Sequence, residues 1–242
     1  MIAGAILLFA CTEIPSGAND ILSFQIDPLP SPGVVVGDSL RDTLGVVRGI
    51  SLTAYNYSGA EVSSPPVVFR AVDRGIRVDS LTGIVLGDSV RSSARIVASL
   101  SGLSGNVLVA VTQRPDSVVG SNARDTLSYS LIDSVNISPE LSVKVLTFSP
   151  AVPTDSSVGQ WLVSFQVVSP SDTALARLVT ENGGRSSLDT TSAGGIGGRR
   201  IKLDVERLTN LNDSVIVQAF VKYRGVNVRG SPVRLVLKVK PK

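Results

Sequence analysis

Histidine is absent from all 242 residues, and cysteine occurs once, at Cys11. Without imidazole, a serine or cysteine nucleophile lacks its usual general base, and zinc, copper and iron lose their commonest nitrogen ligand. A single thiol cannot close an internal disulfide. Serine hydrolysis would need a Ser-Lys arrangement, yet Lys144, Lys202, Lys222, Lys238, Lys240 and Lys242 fall in or beside strand-like segments, mostly at outward positions. Aromatic residues make up 5% of the chain, with one tryptophan, Trp161. That leaves no interleaving of arginine with rings of the kind that stacks bases. The formal charge of +3 is too small to imply a nucleic-acid partner. No enzyme activity, cofactor, metal site or nucleic-acid partner is expected.

Helical periodicity is missing as well. Valine, serine and leucine dominate, broken repeatedly by Gly, Pro, Asp and Ser, which reads as many short strands and an all-β chain. In the first half Ile50, Leu52 and Ala54 alternate with polar neighbours, and Ala94, Ile96, Ala98 and Leu100 share a face opposite Arg95, Val97 and Ser99. Pro65-Pro66 forbids ladder bonds and opens a new strand at Val67-Val68-Phe69. In the second half Trp161, Val163, Phe165 and Val167 form one inward set, and Ile201, Leu203 and Val205 another. Two more follow: Val215, Val217, Ala219, Val221 and Tyr223, then Val233, Leu235, Leu237 and Val239. A one-residue slip would turn any of these sets to water, so register is well specified. One-sided strands must bury their apolar faces against a second sheet, and two tandem β-sandwiches are expected.

The longest apolar run at the N-terminus, Ile2 to Ala10, is well short of the ~20 residues that span a membrane. It ends in Leu8-Phe9-Ala10-Cys11, which resembles the lipobox of bacterial lipoproteins: an aliphatic residue, a variable one, a small one, then cysteine. The resemblance implies removal of 1–10, lipidation of Cys11, and a protein tied to the membrane of the cell envelope through that lipid. Met1-Ile2 offers no charged n-region, and a start codon upstream is expected. Residues 11–32, with Pro28, Pro30 and Pro32 in near succession, read as an extended tether. The expected order is then a sandwich over 33–113, a connector over 114–137 and a second sandwich over 138–242. The connector carries one strand, Thr126 to Leu131, whose partner is left open.

Four stretches of the first sandwich occur in a familiar order. They are Val34-Val35-Val36-Gly37-Asp38, Val67-Val68-Phe69-Arg70-Ala71, Val78-Asp79-Ser80-Leu81-Thr82-Gly83-Ile84-Val85 and Ala94-Arg95-Ile96-Val97-Ala98. Together they resemble the bacterial immunoglobulin-like domain, group 2, with Phe69 where that family usually has tryptophan. The resemblance implies adhesion or display at a cell surface, with a cell-surface protein or glycan as ligand. A carbohydrate-binding accessory module of an extracellular polysaccharide system is the alternative. The second half resembles immunoglobulin-like or fibronectin type III modules in pattern only.

Three features invite a site. Gly194-Gly195-Ile196-Gly197-Gly198 suggests phosphate cradling, but no helix follows it, and an interstrand loop is expected. Asp38, Asp42, Asp73, Asp79 and Asp88 fall in turns that could offer oxygen to calcium; they are scattered, and aspartate is a routine turn residue. The third is cationic: Lys222, Arg234, Lys238 and Lys240 pointing outward from the last hairpin, with Arg224 and Arg229 in its loop. Such a patch suits an anionic ligand. Lysines guarding an edge strand against aggregation are the other reading of the same residues, and the expected one.

Overall fold

The computed structural model describes residues 20–132, 136–148, 156–172, 174–204 and 213–242. Cys11, the signal segment, Val205 and the start of the tether lie outside them. Every regular element among the described residues is a strand. The first half holds β1 (Ile21–Ile26), β2 (Gly33–Val35), β3 (Leu52–Asn56), β4 (Glu61–Val62) and β5 (Val68–Ala71). It continues with β6 (Ile76–Val78), β7 (Val85–Gly87), β8 (Arg91–Leu100) and β9 (Leu103–Thr112). The second half holds β10 (Ser117–Asn122), β11 (Arg124–Tyr129), β12 (Leu141–Thr147), β13 (Ser156–Ser157) and β14 (Leu162–Ser169). There follow β15 (Ala176–Val179), β16 (Leu188–Thr190), β17 (Ile196–Leu203) and β18 (Ser214–Phe220). The last three are β19 (Lys222–Tyr223), β20 (Val226–Asn227) and β21 (Val233–Pro241).

In the second half one sheet runs β10-β12-β17-β15 and the other β11-β21-β18-β14-β16. The early strand β11 pairs parallel to the last strand, β21, while its predecessor β10 joins the opposite sheet. Two mainly antiparallel sheets closed over one core make an immunoglobulin-like sandwich. The first half repeats the theme: β2-β9-β8-β5, with β2 parallel to β9, faces the smaller sheets β1-β3-β4 and β6-β7. Each half has its own apolar core. Leu40, Phe69, Ile96 and Val109 lie in the first, and Leu141, Phe165, Ile201 and Leu237 in the second. Faces follow the expected alternation: Ala94, Ile96, Ala98 and Leu100 are buried, and Arg95 and Ser99 are exposed.

Two expectations fail. The stretch read as tether contains β1, whose Phe24 and Ile26 pack on the first core and whose backbone pairs with β3. The stretch read as connector supplies β10 and β11, which complete both sheets of the second sandwich. The covalent link between the halves is only the stretch 113–116 that separates β9 from β10. Both differences have one cause: nearby prolines and polar residues mask short strands whose partners are distant in sequence.

The turn between β6 and β7 behaves as its residues dictate. Asp79 Oδ1 accepts from the amides of Leu81 (3.1 Å) and Thr82 (2.8 Å) and from the Thr82 hydroxyl (2.7 Å). Gly83 adopts φ +66°, where a side chain would also press on Phe69.

Candidate functional site: the seam between the sandwiches

Asp38 follows Gly37, which turns the chain at φ +75° just after β2. Its carboxylate is only 6% exposed, yet it is well supplied with donors. From its own sandwich, Arg41 donates Nη2 to Oδ1 (2.9 Å) and Nε to Oδ2 (3.1 Å), and the Ser39 amide donates to Oδ1 (2.8 Å). From the other sandwich, the Tyr223 hydroxyl and Arg224 Nε each donate to Oδ2 at 2.9 Å. Burial alone would push this carboxyl up; the hydrogen bonds from Arg41, Arg224, Ser39 and Tyr223 outweigh it and hold Asp38 well below the usual carboxylate range. Burial and the bond to Asp38 push the Tyr223 phenol up.

The backbones close in around this carboxylate. Arg41 Nη1 donates to the Gly45 carbonyl (2.9 Å), and Asp42 accepts from the Leu44 and Val46 amides, which shapes the loop 42–46. Gly45 (φ +84°) lies against the Arg224-Gly225 backbone, and Gly225 (φ +79°) lies against the Leu44 carbonyl. A Cβ at either glycine would collide with the opposite loop. Further along, Thr112 Oγ1 donates to the Gly159 carbonyl (2.7 Å), a second tie between the halves.

Beside the seam opens a groove of about 350 Å³ lined by Leu44, Trp161, Leu162, Leu188, Phe220 and Tyr223, with Lys222 and Asp42 also on its wall. Trp161 is half-buried, its ring centroid 6.2 Å from that of Tyr223 at 57°, and its Nε1 donates to the Lys222 carbonyl (3.2 Å). It packs on the second core with Val163 and Phe165, as its strand face predicts, but at the rim of that core.

The cationic residues singled out by sequence are all exposed, yet they do not form one patch. Arg224 is committed to Asp38 and lies 5.3 Å from the Tyr223 ring. Lys222 belongs to the small β19-β20 hairpin at the groove, and Arg229, just after that hairpin, forms a backbone bridge to Ser117 of β10. Arg234, Lys238 and Lys240 stand together on β21. That strand is not an edge: it is hydrogen-bonded to β18 on one side and β11 on the other. The edge-guarding reading of these cations therefore fails.

The five turn aspartates are also apart. Asp42 pairs with Arg48, Asp88 with Arg77, and Asp73 accepts from the Arg95 amide. Among the described residues no three acidic or thiol groups gather as a metal site. In the glycine cluster, Gly195 (φ +74°) turns the chain into β17, where Gly197 and Gly198 pair with β12.

Two sandwiches joined through a buried, shared carboxylate define a tandem immunoglobulin-like β-sandwich protein. No protein-family model matches the chain, and no curated protein matches it. Domains 4 and 5 of the surface-layer protein SbsC align with 91% of this chain and 98% of their own length, at 10% identity and a TM-score of 0.33. Invasin, a bacterial integrin-binding protein, aligns with 91% of this chain over 40% of its own length, at 10% identity and a TM-score of 0.33. The EC1-2 segment of human protocadherin-24 aligns with 92% of this chain and all of its own length, at 15% identity and a TM-score of 0.28.

Proposed function

We propose that the chain is a non-catalytic cell-surface module, anchored by lipid at Cys11, that presents two sandwiches in fixed relative orientation for adhesion, display or spacing. The observation that carries this reading is the Asp38 seam. A carboxylate buried between donors from both halves, with two glycine loops in backbone contact around it, resists hinge motion. A display or spacer module needs that property, because stiffness decides where its far end is held. The anchor is tested by expressing the chain behind an intact upstream start in a bacterium fed labelled palmitate. The protein should take up label and partition into detergent, and Cys11→Ala should do neither; equal partitioning of the two forms removes the anchor.

A carbohydrate-binding accessory role is the second reading, favoured by the ring-lined groove of Trp161, Phe220 and Tyr223. A screen of neutral oligosaccharides should then find a ligand whose binding is lost in Trp161→Ala. A blank screen dismisses that role.

A further inference from the structure

The cations of β21 have lost their edge-guarding explanation, and their surroundings suggest another. Arg234, Lys238 and Lys240 project from the outward face of the sheet, and β11 sets Arg124 on the same face opposite Val236. Outward positions on a strand recur about every 7 Å, so Arg234, Arg124, Lys238 and Lys240 form a row about 20 Å long with one cation per step. That spacing lies within the ~8 Å screening length at physiological salt, so the four act as one potential. None makes an ion pair with a described residue. No Asp or Glu occupies an outward position on β11, β14, β16, β18 or β21. Four unpaired cations on one face exceed the net charge of the whole chain, +3.

We propose that this face is a docking track for a linear acidic polysaccharide, whose carboxylates or sulfates meet Arg234, Arg124, Lys238 and Lys240 in succession. The residues flanking the row decide the class of polymer. Gln218 stands opposite Arg234 with Gln166 beyond it, Ser214 and Thr126 flank Lys238, and Ser128 lies opposite Lys240. Amides and hydroxyls suit sugar hydroxyls, and no ring lies among these rows to stack a base. One step beyond Gln218 is Phe220, which lines the groove, so the row leads toward the seam. The track names the ligand class of the surface-module reading and rests on that reading for where the polymer is met.

The test is affinity electrophoresis of the full chain through gels holding sodium polygalacturonate, neutral dextran or no polymer, with a single-stranded DNA oligonucleotide titrated separately. Polygalacturonate should retard the protein, dextran should not, and affinity should fall at least tenfold between about 50 and 200 mM salt. The variant Arg124→Gln/Arg234→Gln/Lys238→Gln/Lys240→Gln should lose the retardation. Arg70→Gln/Arg74→Gln/Arg91→Gln/Arg185→Gln, equal in charge change and off the face, should keep it; circular dichroism checks that both fold. Absence of wild-type retardation, equal loss in both variants, or tighter binding of the oligonucleotide overturns the proposal. Palmitate labelling is a separate readout, so failure of the track and failure of the anchor are distinguishable.

Discussion

Replacing Asp38 by alanine removes the acceptor on which both sandwiches converge. Arg41, whose side chain is 25% exposed, loses a two-pronged partner and keeps only the Gly45 carbonyl. The Tyr223 hydroxyl loses a bond to a charged acceptor, of a kind worth about 1.5–3 kcal/mol. Arg224 is 53% exposed, so water screens its share and it adds little. Allowing for the overlap of these contributions, the loss comes to about 3 kcal/mol, at the lower end of what breaking a buried pair costs. With a urea dependence of about 2 kcal/mol per molar, the midpoint should drop by about 1.5 M. Trp161 fluorescence reports the second sandwich at the seam, and far-ultraviolet circular dichroism reports both. Tyr223→Phe, which keeps the ring and deletes the donor of that one bond, should cost about 1.5 kcal/mol. A loss below about 1 kcal/mol for Asp38→Ala would refute the seam as a stabilising element.

The same carboxylate gives stability a pH dependence of fixed sign. Its folded pKa is depressed, so its contribution is complete above the unfolded value near 4 and is lost as pH falls through the folded pKa; Asp38→Asn should flatten that acid limb in pH-resolved urea titrations. Gly45→Ala places a Cβ at φ +84° and against the Arg224-Gly225 backbone, and should cost about 1–3 kcal/mol in the same unfolding assay; a change within 0.5 kcal/mol contradicts the close approach. A fragment of residues 116–242 should unfold cooperatively, and one of 138–242, stripped of β10 and β11, should not; equal cooperativity would mean those strands are dispensable.

Strand faces were legible because they are local. The alternation of Val215, Val217, Ala219 and Val221 fixes a face whatever lies across it, and the Asp79–Gly83 turn carries its own hydrogen bonds. Partners were not legible. Whether β21 is central or an edge depends on β11, over a hundred residues earlier in the chain, and nothing in Val233–Pro241 reveals it. The Asp38 partners lie 185 and 186 residues away. Its only local signs are a polar residue after a turn glycine and a Tyr-Arg-Gly hairpin tip, both ordinary in loops. Trp161 read correctly as facing the core, but its place at the rim, over Tyr223, needed the second hairpin in position.

The most direct test of two sandwiches held as one body is nitrogen-15 relaxation on the intact chain, giving a rotational correlation time for each half. Equal values for residues of β8–β9 and of β18–β21 are expected in the wild type, separating in Asp38→Ala. Different values in the wild type, each that of a smaller particle tumbling alone, would contradict the account.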